Sequence, residues 1–286
     1  MLKHFLFSKP KIPKSQGPSS LFLPVITTSH TPISESDYNF HKSNSTYFTD
    51  ADITRGHLVC CLLQPGIEKL HHNVKTKLVL DKEGKAVTGK FGMMLGSVMC
   101  SFKREIGIYE SYEMWSRLLC WDRKWMYVVS HFVKKGTVRP TGYVLGDGSW
   151  FRKKGYTKVE GAGGDVELDQ KAIFASAIGK YVVKLGRLTV HPEVVLQASG
   201  LLPDKPGGWA TMTSSGDSTP ELGESTQLVE DDEGVDAGDE WNWKRIEAEN
   251  HRGLKFAEHF AALDGLNQEF SGSQSLALGK YRDFLL

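Results

Sequence analysis

Residues 112–133 read YEMWSRLLCW-DRK-WMYVVSHFV and give the strongest β-strand signal of the chain. Both halves are rich in aromatic and β-branched residues, and only the polar tripeptide DRK separates them. Two such runs joined by a short polar link are typical of an antiparallel hairpin. The stretch therefore predicts two neighbouring strands, Tyr112–Trp121 and Trp125–Val133.

Strand-like runs flank this hairpin on both sides. Three apolar or β-branched runs precede it, and a fourth run, interrupted by two glycines, follows it. These runs are Leu21–Thr28, Leu78–Thr88, Leu95–Ile106 and Ile173–Val190 with Gly179 and Gly186.

One helix is predicted before most of these strands. Residues 46–63 place Ala51, Leu58 and Leu62 on one apolar stripe, and Pro65-Gly66 is expected to end the helix. A single helix of this length followed by long antiparallel strands indicates an α+β fold, with a curved antiparallel sheet wrapped around the helix. A second, short helix is expected at Pro192–Ser199, before Gly200.

The chain is predicted to divide into one main domain and three accessory segments. Residues 1–20 are expected to be irregular, and residues 21–203 to form the domain, with a long insertion at 136–171. Residues 204–240 form an acidic linker, expected to be disordered because the stretch 206–243 holds ten acidic residues and no Lys or Arg. Residues 241–286 carry a helical pattern with one apolar stripe.

Composition excludes several classes of protein. The net charge of +1 gives no general attraction to nucleic acid, and the apolar start MLKHFLF is too short to span a membrane. The four cysteines have neither disulfide nor zinc spacing, which favours a reducing, cytoplasmic location. Without a phosphate-binding loop, a metal-ligand cluster or a G-x-S-x-G elbow, no cofactor or metal is expected, and an α/β-hydrolase is disfavoured.

The stretch Asp37–Tyr47, DYNFHKSNSTY, contains the residues that point to chemistry. It resembles the D-x-x-x-H-x-N-N-x-x-Y motif of hotdog thioesterases, and the match is closest to fungal thioesterase-like proteins, some of them associated with polyketide biosynthesis. The stretches FKREIGIYESYEMWSRLLCWDRKWMYVVSHFVKKG and SAIGKYVVKLGRLTVHPEVVLQASGL resemble strands of the same family. The resemblance covers residues 21–135 and 172–202 and implies the hotdog fold.

The resemblance also implies roles for individual residues. Asp37 stands where the family has a general base or nucleophile, and Asn44 matches the second asparagine of the motif, while Ser43 replaces the first. His41 and Tyr47 match positions that shape the loop. Hotdog domains usually pair their sheets, so a homodimer or higher homo-oligomer is implied.

The same segment supports this chemistry on physical grounds. Thioester hydrolysis needs an activated water or nucleophile, which a carboxylate such as Asp37 can supply. It also needs donors for an oxyanion, and the unpaired N–H groups at a helix N-terminus, near Asn44–Tyr47, can supply them. We therefore expect Asp37, Asn44 and His41 to be catalytic. We expect the acyl chain to lie between helix and sheet, against Tyr47, Leu58 and Trp115.

Structural interpretations of these residues stay open at this point. An Asp before a helix often forms a turn, and an Asn at the start of a helix often caps it. His41 alone could be a structural hydrogen-bond partner, and Asp50 and Asp52 could simply favour the first turns of the helix.

The sequence therefore predicts an acyl thioesterase that acts on acyl-CoA or on acyl and polyketide groups held by a carrier protein. Residues 103–158 hold twelve Lys or Arg against five acidic residues, and such a surface could bind coenzyme A phosphates or an acidic carrier. Two alternatives remain: a non-catalytic hotdog module that binds acyl groups or partners, and a hydroxyacyl-thioester dehydratase that would need a paired Asp and His.

Overall fold

The computed structural model describes residues 12–140, 142–145, 172–213 and 241–269. Most of the expected insertion at 136–171 and of the expected acidic linker therefore lies outside the described residues. The predicted disorder of that linker lies there as well.

A six-stranded antiparallel sheet forms the body of the protein. Its strands, in chain order, are β1 (Val25–His30), β3 (Phe91–Phe102), β4 (Ser111–Trp121), β5 (Trp125–Lys134), β6 (Ile173–Leu185) and β7 (Leu188–Val190). The spatial order is β1-β4-β5-β6-β3, with β7 paired to β6. The short strands β2 (Val79–Leu80) and β8 (Met212–Thr213) form a separate parallel pair. The predicted hairpin is confirmed as β4–β5.

The central helix α1 runs from Asn44 to His71 and is longer than predicted. The expected stop at Pro65-Gly66 was wrong, since Pro65 lies inside the helix. The Gly66 N–H donates to Ser199 Oγ at 3.1 Å, which gives this amide a partner outside the helix. A Cβ on Gly66 would lie 2.4 Å from Ser199 Oγ, so only glycine permits this close packing.

One face of α1 packs into the concave side of the sheet. The larger core cluster includes Leu58, Leu62, Leu63, Ile67 and Leu70 from the helix, and Leu118, Trp121, Val128, Val183 and Leu185 from the strands. A smaller cluster at the start of the helix joins Tyr47 and Ala51 to Tyr112 and Phe132. A long helix held by a curved antiparallel sheet is the α+β hotdog arrangement that the sequence predicts.

The opposite face of the sheet is partly covered by α3 (Trp243–Ala261), which a 3-10 segment, Ala262–Glu269, follows. Ala257 and Phe260 of α3 pack against Leu119, Cys120 and Tyr127 of β4 and β5. The Asn250 side chain accepts from the Trp121 N–H at 2.8 Å and donates to the Trp121 carbonyl at 3.1 Å. The C-terminal helix therefore docks on its own domain.

Several element boundaries differ from the sequence prediction. Strand β1 begins at Val25 and β3 at Phe91, each four residues away from the predicted start. Residues 14–20, expected to be irregular, form short helical turns. The helix α2 (Pro192–Ala198) agrees with the prediction, and Gly200 after it adopts φ +75°. Among the described helices, none is long and apolar enough to cross a membrane.

Candidate active site

The loop before α1 folds into a narrow hairpin. Ser36 pairs with Lys42, and the Ser43 N–H donates to the Glu35 carbonyl at 2.8 Å. At the tip, the Asp37 N–H donates to the His41 carbonyl at 2.8 Å. This folding brings the tip residues and the start of the helix into one compact unit.

Asp37 uses part of its carboxylate to hold the tip of this loop. Its Oδ1 accepts hydrogen bonds from the backbone N–H groups of Asn39, at 2.9 Å, and His41, at 3.2 Å. Among the described residues, no hydrogen bond engages Oδ2. The half-buried side chain is therefore a turn former through one oxygen and can still present the other to a water molecule.

The imidazole of His41 pairs with Glu105 and makes no recorded side-chain contact with Asp37 among the described residues. Its Nε2 lies 3.3 Å from Glu105 Oε2, in a pair whose side chains are 37% and 74% exposed. The contact between His41 and Asp37 is made by the His41 backbone. The paired Asp and His that a dehydratase would need is therefore not formed by these two side chains.

The N-terminus of α1 lacks a side-chain cap within the described part of the chain. Ser43 is the N-cap residue, with φ −60° and ψ 135°, and Asn44 is an exposed first residue of the helix. The capping interpretation of Asn44 was therefore wrong. Thr46 donates to the Ser43 carbonyl through its N–H, at 3.0 Å, and through its hydroxyl, at 2.7 Å. Amides of the first turn stay available as donors at the positive end of the helix dipole.

A buried cation lies directly beneath this loop. Lys42 is 3% exposed, and its Nζ lies 2.8 Å from Glu35 Oε2 and 2.8 Å from Asp50 Oδ2. The Tyr112 hydroxyl also donates to Asp50 Oδ2. Burial alone would lower the pKa of Lys42, but hydrogen bonds to Asp50 and Glu35 raise this pKa above its usual value. Lys42 therefore stays charged and ties the loop to the helix and to β4.

Two tyrosine rings, those of Tyr47 and Tyr112, pack beside Lys42 on the side that faces the sheet. The Lys42 Nζ lies 5.5 Å from the ring centroid of Tyr47 and 5.4 Å from that of Tyr112. Burial, followed by the hydrogen bond to Asp50, raises the pKa of Tyr112 to about 12, so its phenol stays protonated as a donor. Sequence reasoning missed Lys42, Asp50 and Tyr112 as a group. The available signal in the sequence was Asp50, a charged residue that directly precedes Ala51 of the predicted apolar stripe.

The three residues expected to contact substrate do not lie together. Tyr47 is buried, with its ring centroid 5.0 Å from that of Phe102 and 4.9 Å from that of Phe132. Leu58 is buried in the larger core cluster. Trp115 lies on the opposite face of the sheet and donates from Nε1 to Glu113 Oε2 at 3.2 Å. Successive strand residues face opposite sides, so Trp115 cannot join Leu58, and this expectation was wrong.

Partly exposed apolar side chains lie where the edge strand β3 meets α1, and we call this strip the groove. Leu95 and Phe102 of β3 are 42% and 41% exposed. In the register of β3 with β6, Leu95 pairs with Tyr181 and Phe102 with Ala175, so these β3 side chains point toward the helix.

The described residues contain neither an activated cysteine nor a group of side chains arranged to bind a metal ion. All four cysteines are free, and burial raises the pKa values of Cys61 and Cys100 to about 11. Such thiols stay protonated at neutral pH and are poor nucleophiles. Within the described ranges, no group of His, Cys, Asp and Glu is arranged to hold a metal ion.

The architecture and the loop together define a hotdog protein with a polar site at the N-terminus of its central helix. Residues 31–191 match the model of the family described as the thioesterase-like superfamily. This match covers more than half of the sequence, and the chain belongs to the thioesterase-like superfamily.

Named fungal proteins agree with this assignment. The chain is 35% identical to thioesterase poxG of Penicillium oxalicum over 266 residues, which cover 93% of this chain and 76% of that protein. It is 34% identical to thioesterase lcsJ of Purpureocillium lilacinum, over 92% of this chain and 76% of that protein. Among solved structures, the probable thioesterase YbaW from Escherichia coli matches with a TM-score of 0.38 and 9% identity, covering 62% of this chain and 96% of that one. The chain is an acyl thioesterase, a thioester hydrolase.

Proposed function

We propose that the loop Ser36–Ser43 and the first turn of α1 form the hydrolytic site, with Asp37 as the general base. The observation that supports this proposal is the continuity of the two parts. Asp37 presents Oδ2 at the tip of a hairpin loop whose other end is the start of an uncapped helix. Lys42 fixes the geometry from below through Glu35 and Asp50.

In the proposed reaction, a water molecule donates a proton to Asp37 Oδ2 and attacks the thioester carbonyl. First-turn N–H groups, near Asn44, stabilise the oxyanion that forms. Collapse of the tetrahedral intermediate breaks the C–S bond, and the proton held by Asp37 passes to the departing sulfur, so that a thiol and a carboxylic acid are released and the Asp37 carboxylate is restored. His41 keeps the loop folded through its backbone, and its imidazole belongs to the loop surface beside Glu105.

The substrate is proposed to be an acyl-CoA or a carrier-bound acyl or polyketide group, whose chain enters the groove between α1 and β3. Fungal relatives that are named thioesterases support thioester hydrolysis. The resemblance of the motif to fungal proteins associated with polyketide biosynthesis favours a role in secondary metabolism. Four unpaired thiols support a reducing compartment such as the cytoplasm.

The edge strand β3 supports a homodimer. It is twelve residues long, and Met94 and Met99 are 53% and 43% exposed. A long apolar edge strand is a hazard unless another strand pairs with it. A second copy paired along β3 would cover these side chains and close the groove beside α1.

The test compares Asp37→Asn with Asp37→Ala in thiol release from acyl-CoA and acyl-pantetheine substrates. Asparagine keeps an oxygen that can accept the Asn39 and His41 N–H bonds, but it cannot accept a proton from water. We expect Asp37→Asn to lower kcat by about 100-fold or more, with an unchanged melting temperature.

A result near wild type for Asp37→Asn, with a loss only in Asp37→Ala, would reduce Asp37 to its turn-forming role. That outcome would keep the class of enzyme and assign the general base to another residue.

A further inference from the structure

A second charged group is buried inside the domain, away from the loop. Arg55 of α1 is 3% exposed and points toward β6. Its Nη1 donates to the Tyr181 hydroxyl at 3.0 Å and lies 3.2 Å from Asp52 Oδ1. Asp52 is 61% exposed, so the acid paired with this guanidinium is largely in solvent.

The other edge of the guanidinium lacks partners. Among the described residues, neither Nε nor Nη2 of Arg55 has a hydrogen-bond acceptor, although both atoms are buried. A buried donor without an acceptor is costly, and more so when the group is charged. The Nε–Nη2 edge is also a geometry in which arginine binds a carboxylate through two parallel hydrogen bonds.

The side of the guanidinium toward β6 is closely packed. A Cβ on Gly179 would lie 3.3 Å from Tyr181 Cε2, 3.4 Å from Leu95 Cδ1 and 3.5 Å from Arg55 Cζ, so the absent side chain leaves only a recess of methyl size. Leu95, which is 42% exposed, separates this recess from the groove between α1 and β3. A ligand therefore reaches the guanidinium only when the Leu95 side chain changes its rotamer.

The position of Arg55 along α1 sets its distance from the hydrolytic site. Arg55 follows Asn44, the first residue of the helix, by about three turns, or about 16 Å along the axis. Its side chain leans back toward the helix N-terminus, as helical side chains do. An acyl chain that starts at the loop and runs along the groove would reach Arg55 with its far end.

We propose that Arg55 is a specificity residue that binds a carboxylate at the far end of the acyl chain, so that the preferred substrates are ω-carboxyacyl thioesters. The inference rests on the proposed hydrolytic site at the loop. Tyr181 fixes the guanidinium through Nη1, and the carboxylate takes the buried, unpartnered Nε–Nη2 edge when the Leu95 side chain moves aside.

The first test compares hydrolysis of dodecanedioyl-pantetheine and dodecanoyl-pantetheine, which differ only in the terminal group. We expect wild type to prefer the carboxylated substrate in kcat/KM. Arg55→Met should lower this preference by about 10- to 100-fold, because two hydrogen bonds to a charged group are lost. Arg117→Met, a half-buried arginine on the opposite face of the sheet, is the matched control and should keep the preference.

A second test does not depend on turnover. S-dodecyl-pantetheine and its ω-carboxy counterpart are thioethers that cannot be hydrolysed, and calorimetry gives the ratio of their dissociation constants. We expect the carboxylated thioether to bind wild type more tightly, and Arg55→Met to remove this difference. Preference in binding without hydrolysis of either thioester would overturn the proposed hydrolytic site, while it would support Arg55 as the residue that binds the terminal carboxylate.

Gly179→Ala fills the recess without removing the charge and covers the case in which Arg55→Met does not fold. The added methyl should weaken the carboxylated ligand selectively. Equal losses for both ligands in Arg55→Met and Gly179→Ala would mean a structural role and would overturn the proposal. Equal binding of both thioethers by wild type would overturn it as well.

Discussion

At the scale of single residues, the domain contains charged side chains that are buried. Lys42 joins a loop carboxylate, Glu35, to a helix carboxylate, Asp50, and its own side chain is hidden from solvent. Removing one partner of a buried ion pair leaves the others desolvated and uncompensated. The loop that holds Asp37 therefore depends on a residue whose side chain is buried beneath it.

We expect Lys42→Met to lower the free energy of unfolding by about 3–5 kcal/mol, because Asp50 would stay buried without its cation. Urea denaturation at neutral pH measures the change. The matched control is Arg252→Met, which breaks the exposed pair of Arg252 with Glu249 on α3 and should cost about 1 kcal/mol or less. Similar losses in the two variants would show that Lys42 is not part of a cooperative buried cluster.

The sequence locates the loop of the site but not its internal contacts. The position of Asp37 before the helix follows from local pattern, and the structure places it there. The contacts of Lys42 with Tyr112 and of Arg55 with Tyr181 could not be predicted, because these tyrosines are distant in sequence and are brought near only by the fold. Whether a charged side chain is buried depends on such contacts rather than on its neighbours in the chain.

At the scale of elements, local signals predicted which strands and helices exist better than where they end. The β4–β5 hairpin was predicted within one residue, since its turn and its strand composition are both local. The end of α1 was misplaced because Pro65 normally ends helices. The packing of Ile67 and Leu70, together with the bond from Gly66 to Ser199, continues the helix past it.

The close packing of α3 on β4 depends on one glycine, Gly253. A Cβ on Gly253 would lie 2.4 Å from the Leu119 carbonyl oxygen and 2.7 Å from Cys120 Cβ. We expect Gly253→Ala to lower the free energy of unfolding by about 1–3 kcal/mol, because the helix must move away from β4. Gly265→Ala, where a Cβ meets no atom within 4 Å, is the control and should change stability by about 0.5 kcal/mol or less. Thermal unfolding, monitored by circular dichroism, measures the stability of both variants. Equal losses of stability would contradict the close contact of Gly253 with β4.

At the scale of the whole molecule, the two sides of the sheet differ in how they are covered. The concave side holds α1, and α3 covers the convex side at β4 and β5. The edge at β3 stays uncovered within the described chain and is the surface through which we propose dimer formation. Composition alone could not assign this surface, because its apolar residues resemble those of a core strand.

We expect the double variant Met94→Lys with Met99→Lys to be monomeric, because two lysines on an edge strand oppose pairing with a second copy. Light scattering coupled to size-exclusion chromatography measures the mass of wild type and variant. Phe256→Lys, which replaces an exposed apolar residue of α3, should leave the mass unchanged. A monomeric wild type would contradict the proposed dimer.

The docking of α3 has a consequence for how the chain is joined together. Contacts to Trp121, Leu119 and Cys120 hold this helix, whereas 27 residues, 214–240, connect it to the rest of the described domain. The contacting surfaces give the docking its specificity, and the covalent connection raises the effective concentration of the helix at the sheet. The helix α3 therefore docks on the sheet through surface contacts, as a separate binding partner would, but it is covalently attached. Cleavage of the connection would convert an intramolecular contact into an ordinary binding equilibrium that dilution could reverse.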